Sequence, residues 1–330
     1  MNEDLRHGGA LDRMREAFPE APKPWIDLST GINPWAYPHT EVTEEALNRL
    51  PTRAAYSACQ RAMAAAIGAP PETLLLAPGS ELLIRLLPDV ISAKRVTLLA
   101  PSYGDHAVSW KRAGVTIVNT TNPLEMADET DVVIVCNPNN PDGHTFSVDA
   151  LNHARDKLAA RRGWLIIDEA YADLDPGLSL APLAGSDGLI ILRSFGKFFG
   201  LAGVRLGALI APASIRDAMA ARLGVWPVSG AALEIGTRAY ADTRWQSSSR
   251  TSLKSGAARL DESLEGAGLG LVGGTDLFRF VETADAHGVF ERLAQAGVYV
   301  RRFDWSTRHL RIGLPATQTA LERLEAALIL

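Results

Sequence analysis

Only two cysteines occur in the 330 residues, Cys59 and Cys136, and they do not share a C-x-x-C spacing. A disulfide framework and a metal site are therefore not expected, and the thiols read as reduced groups in a cytoplasmic protein. No apolar run approaches the ~20 residues that a bilayer span needs. The start, Met1-Asn2-Glu3-Asp4-Leu5-Arg6-His7, lacks the apolar stretch of a secretory signal. Positive charge is not in excess either: 33 Lys and Arg against 38 Asp and Glu give a formal net charge of -5, with a pI near 5.8. Neither nucleic acid nor an anionic membrane is expected as a partner. Repeats, low-complexity tracts and long charge runs are absent. With 47% hydrophobic and 22% charged residues, the chain has enough apolar surface for a large core divided between two domains.

What is present is a series of short apolar runs, each ending in polar residues. Leu189-Ile190-Ile191-Leu192 leads to Ser194-Phe195-Gly196-Lys197, and Arg205 follows eight positions after the lysine, in Gly203-Val204-Arg205-Leu206-Gly207. A lysine at the mouth of a buried strand is a candidate imine former, because desolvation or a neighbouring cation lowers its pKa. Alone, S-x-x-K more often marks a solvated loop lysine. Its context argues otherwise. Trp164-Leu165-Ile166-Ile167 ends in Asp168-Glu169-Ala170-Tyr171, and Val132-Val133-Ile134-Val135-Cys136 ends in Asn137-Pro138-Asn139-Asn140-Pro141-Asp142-Gly143. Ligands of an open α/β sheet bind beyond the carboxyl ends of its strands, so these three loops are expected to converge on one crevice. A lysine for a Schiff base, a carboxylate (Asp168) for a pyridine nitrogen, and Ser194 with Arg205 for a phosphate together suit pyridoxal phosphate. Asn140 and Tyr171 are placed to hydrogen-bond the ring hydroxyl.

Upstream, Thr73-Leu74-Leu75-Leu76-Ala77 precedes Pro78-Gly79-Ser80-Glu81 and then the helix-periodic Leu82-Leu83-Ile84-Arg85-Leu86-Leu87. The free N–H groups of Gly79, Ser80 and Glu81, with the Ser80 hydroxyl, are expected to hold the cofactor phosphate, although Ser80 also suits an ordinary helix cap. A further run, Val96-Thr97-Leu98-Leu99-Ala100, ends in Pro101-Ser102-Tyr103-Gly104.

The motifs N-P-x-G, D-x-x-Y, S-x-x-K and R-x-G, in this order, resemble those of fold-type I pyridoxal-phosphate enzymes, the aspartate aminotransferase superfamily, over about residues 25 to 315. The resemblance implies an α/β fold with a mostly parallel central sheet in a large domain and a smaller α/β domain beside it. It implies that Lys197 carries the cofactor, with Asp168 and Tyr171 as its catalytic companions. Tyr103 would stack on the pyridine face, and Tyr56 would reach the cofactor phosphate of a neighbouring subunit in a homodimer with shared sites. Pro141-Asp142-Gly143 stands where the superfamily usually has Pro-Thr-Gly, a change expected to alter only the turn.

Strands alternate with helical stretches from about residue 58 to 222, and a long helical stretch is expected over about 231–264. The expected division is an N-terminal arm over 1–40 that packs with the small domain, a large cofactor domain over 41–230 and a small domain over 231–330. Arg311, in His309-Leu310-Arg311-Ile312-Gly313, stands where the superfamily holds a substrate α-carboxylate, and arginine suits that planar fork. His7-Gly8-Gly9 and the D-x-S-x-x-I-N-P pattern from Asp27 to Pro34 resemble the threonine-phosphate decarboxylase branch of cobalamin biosynthesis, with Gly31 where Asn is frequent. That branch implies a small phosphorylated amino acid as substrate, its phosphate bound by His7, Arg301 and Asn33, and carbon dioxide as a product. An aminotransferase acting on histidinol phosphate shares every cofactor residue, and a cofactor-binding regulatory module without turnover is a third reading. No basic helix-turn-helix precedes the domain to favour the last.

Overall fold

The computed structural model describes residues 8–39 and 42–329; His7 lies outside them. The chain forms two compact units. One comprises Tyr37–Asn140 with His144–Trp245, and the other comprises residues up to Ala36, Pro141–Gly143 and the chain from Gln246 on.

The larger unit is built on a seven-stranded sheet in the order Leu74–Ala77, Gly207–Ile210, Leu189–Ser194, Trp164–Asp168, Val132–Cys136, Arg95–Leu99, Thr116–Thr120. The strand Gly207–Ile210 runs antiparallel to both neighbours, and the remaining pairs are parallel. Val132–Cys136 is buried at every position, which explains its uninterrupted apolar run: helices cover both faces, so no alternation is required. Ile134, Ile166, Ile190 and Leu209 pack with Leu83, Leu87 and Trp110 in the core. Register aligns Cys136 with Asp168, and Asp168 with Leu192, so two strands end at one level and the third runs two residues further, to Ser194.

The smaller unit carries a five-stranded sheet in the order Ile26–Leu28, Val298–Phe303, Ser306–Gly313, Phe278–Glu282, Gly270–Thr275. Its N-terminal strand pairs parallel with Val298–Phe303, and the other pairs are antiparallel. Among the described residues, no helix is long and apolar enough to cross a membrane.

The structure differs from the sequence reading at the expected long helix. Two helices, Gly230–Ala241 and Thr243–Gly266, replace one. Asp242 interrupts them, its carboxylate accepting a hydrogen bond from the Trp245 N–H at 2.9 Å, as an acidic cap does. The contact division also falls at 245/246 rather than 230/231. Tyr240 and Trp245 explain the offset, since they pack on Phe199 with ring centroids 4.9 and 5.6 Å apart.

Directly behind the strand ends lies a buried ion network. Arg193 donates to Glu169 at 2.8 Å and also to Asp173, and Glu169 further accepts from the Ser179 hydroxyl and the Leu180 N–H. All three charged side chains are buried. Burial pushes the Glu169 carboxyl up, against the pull of Arg193, while the two carboxylates outweigh burial and raise the pKa of Arg193. Removing one partner strands a buried charge. Arg193→Met is expected to destabilise the protein by about 3–5 kcal/mol, read as a lower denaturant midpoint; an unchanged midpoint would mean the network contributes nothing.

Candidate active site

A cavity of about 270 Å³ opens at the carboxyl ends of the parallel strands. Lys197, Asp168, Tyr171, Asn140, Ser194 and Arg205 line it, together with Gly79, Ser80, Glu81 and Tyr103. Five sequence segments far apart in the chain are thus brought together as their positions after strands predicted.

Lys197 sits on the short helix Phe195–Phe198 that follows the strand Leu189–Ser194. Gly196 lets this helix close on the next loop, since a Cβ there would lie 2.7 Å from the Ala202 Cα. The Lys197 ammonium is 6.0 Å from the centroid of the Tyr171 ring. Asp168 is buried. One of its oxygens accepts from the Ala170 N–H at 3.1 Å, and the other pairs with His106 Nε2 at 3.0 Å.

Sequence reasoning did not find His106. It lies on the helix Gly104–Arg112, three residues after Tyr103, and its usable signal is the buried face that it shares with Asp105, Ser109 and Trp110. Burial disfavours its imidazolium, but hydrogen bonds to Asp168 and Cys136, with their charge, outweigh burial and raise its pKa to about 10. His106, Cys136 and Asp168 offer ligand atoms within 4.8 Å of one another. Together the three side chains form a polar floor under the cavity.

The anion end is formed by backbone. Gly79 has φ of +91°, and a Cβ there would lie 2.7 Å from Arg205 Nη2, so the guanidinium rests against a bare Cα. Gly79, not Ser80, is the cap residue of the helix Ser80–Leu86, and no side chain caps it; the ordinary-cap reading of Ser80 does not apply. Arg205 has a left-handed φ of 55°. That conformation costs a non-glycine residue about 1–2 kcal/mol, strain of a type kept at ligand clamps.

Other candidates lie elsewhere. The Tyr56 hydroxyl accepts a hydrogen bond from the Leu76 N–H of its own chain at 2.8 Å and does not line the cavity. This bond ties the tyrosine to the strand Leu74–Ala77 of the larger unit. Asn33 is buried in the smaller unit, donating to Ser249 Oγ at 3.0 Å and accepting from the Trp35 N–H at 2.8 Å. These two bonds hold the smaller unit together. Arg301 and Arg311 are direct cross-strand partners of the small sheet, so both guanidinium groups project from one face. Arg311 is buried, donates to the Ser29 carbonyl at 2.7 Å and lies 5.0 Å over the Phe278 ring. Asp27 fixes that seat by accepting from the Ser29 N–H and hydroxyl at 2.9 and 2.6 Å. The D-x-S pattern therefore builds the turn that holds Arg311, a role the sequence reading did not assign.

The sequence pattern of the family described as aminotransferase class I and II matches residues 23–328. The chain belongs to this family. It is 37% identical to a threonine-phosphate decarboxylase of Pseudomonas aeruginosa, over 98% of this chain and 97% of that protein. It is 38% identical to a threonine-phosphate decarboxylase of a Sinorhizobium species, over 99% of this chain and 98% of the relative. The fold matches the histidinol-phosphate aminotransferase of Sinorhizobium meliloti, solved in complex with pyridoxal-5'-phosphate, at a TM-score of 0.82 and 18% identity, over 96% of this chain and 93% of that one.

Pyridoxal phosphate fits the aminotransferase-family cavity as found here. The Gly79 cradle and Arg205 suit its phosphate, Asp168 its ring nitrogen and Lys197 its aldehyde. His106 offers a check on the floor. Its raised folded pKa contributes stability that is complete below the unfolded value of about 6.5 and is lost as pH rises through about 10. Denaturant midpoints of cofactor-free protein are expected to fall across that alkaline window and to flatten in His106→Asn; parallel profiles would mean that His106 is not protonated.

Proposed function

We propose that the protein decarboxylates L-threonine O-3-phosphate to (R)-1-aminopropan-2-yl phosphate and carbon dioxide, using pyridoxal phosphate, as a step of cobalamin biosynthesis. The end-to-end likeness to two threonine-phosphate decarboxylases carries this reading. The bound cofactor supplies an electron sink for the bond that breaks. Lys197 holds the cofactor aldehyde in the resting protein and returns a proton to the substrate Cα after carbon dioxide leaves. Asp168, fixed by His106 and the Ala170 N–H, keeps the ring nitrogen protonated. Asn140 and Tyr171 bind the ring hydroxyl, and Ser80, Ser194 and Arg205 bind the cofactor phosphate. Arg311 takes the substrate carboxylate and Arg301 its phosphate, two cations for two anions on one sheet face. Transamination of histidinol phosphate is the second reading, supported by the shared cofactor residues and the common fold.

We further propose a homodimer working in the cytoplasm. Two free buried cysteines fit a reducing compartment. Leu47, Leu50 and Trp226 of the larger unit are 66%, 64% and 55% exposed, apolar surface that a second copy would cover.

Two measurements check these readings. Cofactor-loaded protein given L-threonine O-3-phosphate is expected to release carbon dioxide catalytically, and Lys197→Ala to lose at least ~10³-fold of that rate; conversion of the cofactor to its amine form by histidinol phosphate, without gas release, would place the protein among the aminotransferases. Light scattering is expected to give twice the chain mass of 35.4 kDa, and Leu50→Glu to weaken the pair; a wild-type monomer would sink the dimer.

A further inference from the structure

Glu81 is a cradle residue by its backbone N–H, but its side chain points to a different task. One carboxylate oxygen accepts from the Tyr103 hydroxyl at 2.9 Å, and the other accepts from Arg85 Nε at 2.6 Å, one turn along the same helix. Arg85 also approaches the Asp105 carboxylate at 3.8 Å, and its carbonyl accepts from Arg112 at 2.9 Å. These contacts join two elements. Glu81 lies in the first turn of Ser80–Leu86, where the anion cradle begins, while Tyr103 is the residue from which Gly104–Arg112 starts. His106, on the latter helix, meets the Tyr103 ring edge-on, with centroids 6.2 Å apart and planes at 84°, and holds Asp168.

We propose that Glu81 is a positioning residue whose carboxylate fixes the plane of the Tyr103 ring against the cofactor, locking the ring-face contact to the phosphate cradle. The inference rests on the reading of this cavity as a pyridoxal-phosphate site. A tyrosine ring has two torsions; a partner for its hydroxyl pins the far end of the ring, and the preference of the phenolic O–H for the ring plane couples that plane to the partner, beside the edge-on packing of His106. A carboxylate is the strongest neutral-pH acceptor for that hydroxyl. Arg85 fixes the carboxylate in turn, although as a largely exposed pair the two charges alone would add little. Burial raises the Tyr103 pKa, and the Glu81 and Asp105 carboxylates raise it further, so the hydroxyl remains a donor throughout the working range. The ring nitrogen and the ring face are thus set from one helix and the phosphate from another, and the Glu81–Tyr103 bond is a joint between them.

A double-mutant cycle tests this, with cofactor affinity and the circular dichroism of the bound cofactor as readouts and thermal unfolding as the check on folding. E81A is expected to weaken cofactor binding by about tenfold and Y103F by a similar factor, each with reduced induced dichroism. E81Q keeps an acceptor oxygen for Tyr103 and is expected to stay within about threefold of wild type. In the Y103F background, E81A should add less than about a twofold further loss, because the two side chains act through one bond. Losses that multiply would overturn the proposal, as would an E81A protein that binds like wild type. E81M, similar in length and apolar, closes the same cycle if E81A does not fold. A wild-type protein that binds no pyridoxal phosphate would instead overturn the cofactor reading, and this proposal with it.

Discussion

The shared register of three parallel strands is the constraint on which the site depends. Cys136, Asp168 and Leu192 are register partners, so at this level the first two strands end side by side and the third runs two residues further, to Ser194. A slip of one residue in any pair would turn its side chains to the opposite face of the sheet. In the Arg193, Glu169 and Asp173 network, Arg193 lies in the third strand one position beyond this level, and it binds Glu169, directly after the second strand, and Asp173 in the loop that follows. Charge burial is a poor source of net stability, but it penalises any arrangement that separates the partners. Packing sets the strands, and the ion network sets where their loops begin.

From that level the site divides its work by type of group. Side chains handle the reactive end: Lys197 and Asp168 follow strands, and His106 braces the carboxylate from a helix. Backbone handles the anion end, where Gly79 and Gly207 are needed because a Cβ at Gly207 would lie 2.8 Å from the Ser80 nitrogen. Backbone amides recognise an anion without carrying charge of their own, which leaves Arg205 to supply it. The smaller unit repeats this division, with Arg311 as the buried cation and the Asp27–Ser29 turn as the backbone seat.

Much of this was legible in the sequence because position relative to a strand end is a local property. Lys197, Asp168, Asn140 and Tyr171 each follow an apolar run within a few residues, and the structure brings all four to one cavity. Direction was not legible: Gly207–Ile210 reads like its neighbours, because an apolar run has no sense of parallel or antiparallel. His106 escaped because its meaning depends on Asp168, 62 residues away. Tyr56 and Asn33 were visible as residues, but a sequence does not say which groups of its own unit a polar side chain meets, here the Leu76 N–H for one and the Ser249 hydroxyl for the other. The single long helix divided because a capping carboxylate at Asp242 competes locally with helix continuation.

The cavity's lining residues all fall between Gly79 and Leu206. Chain synthesis runs from the N-terminus, and domains generally fold as units during it. Every wall of the cavity has therefore left the ribosome while the segment from Gln246 onward, which builds most of the smaller unit, is still being made. The cavity is covalently complete before Arg301 and Arg311 are made.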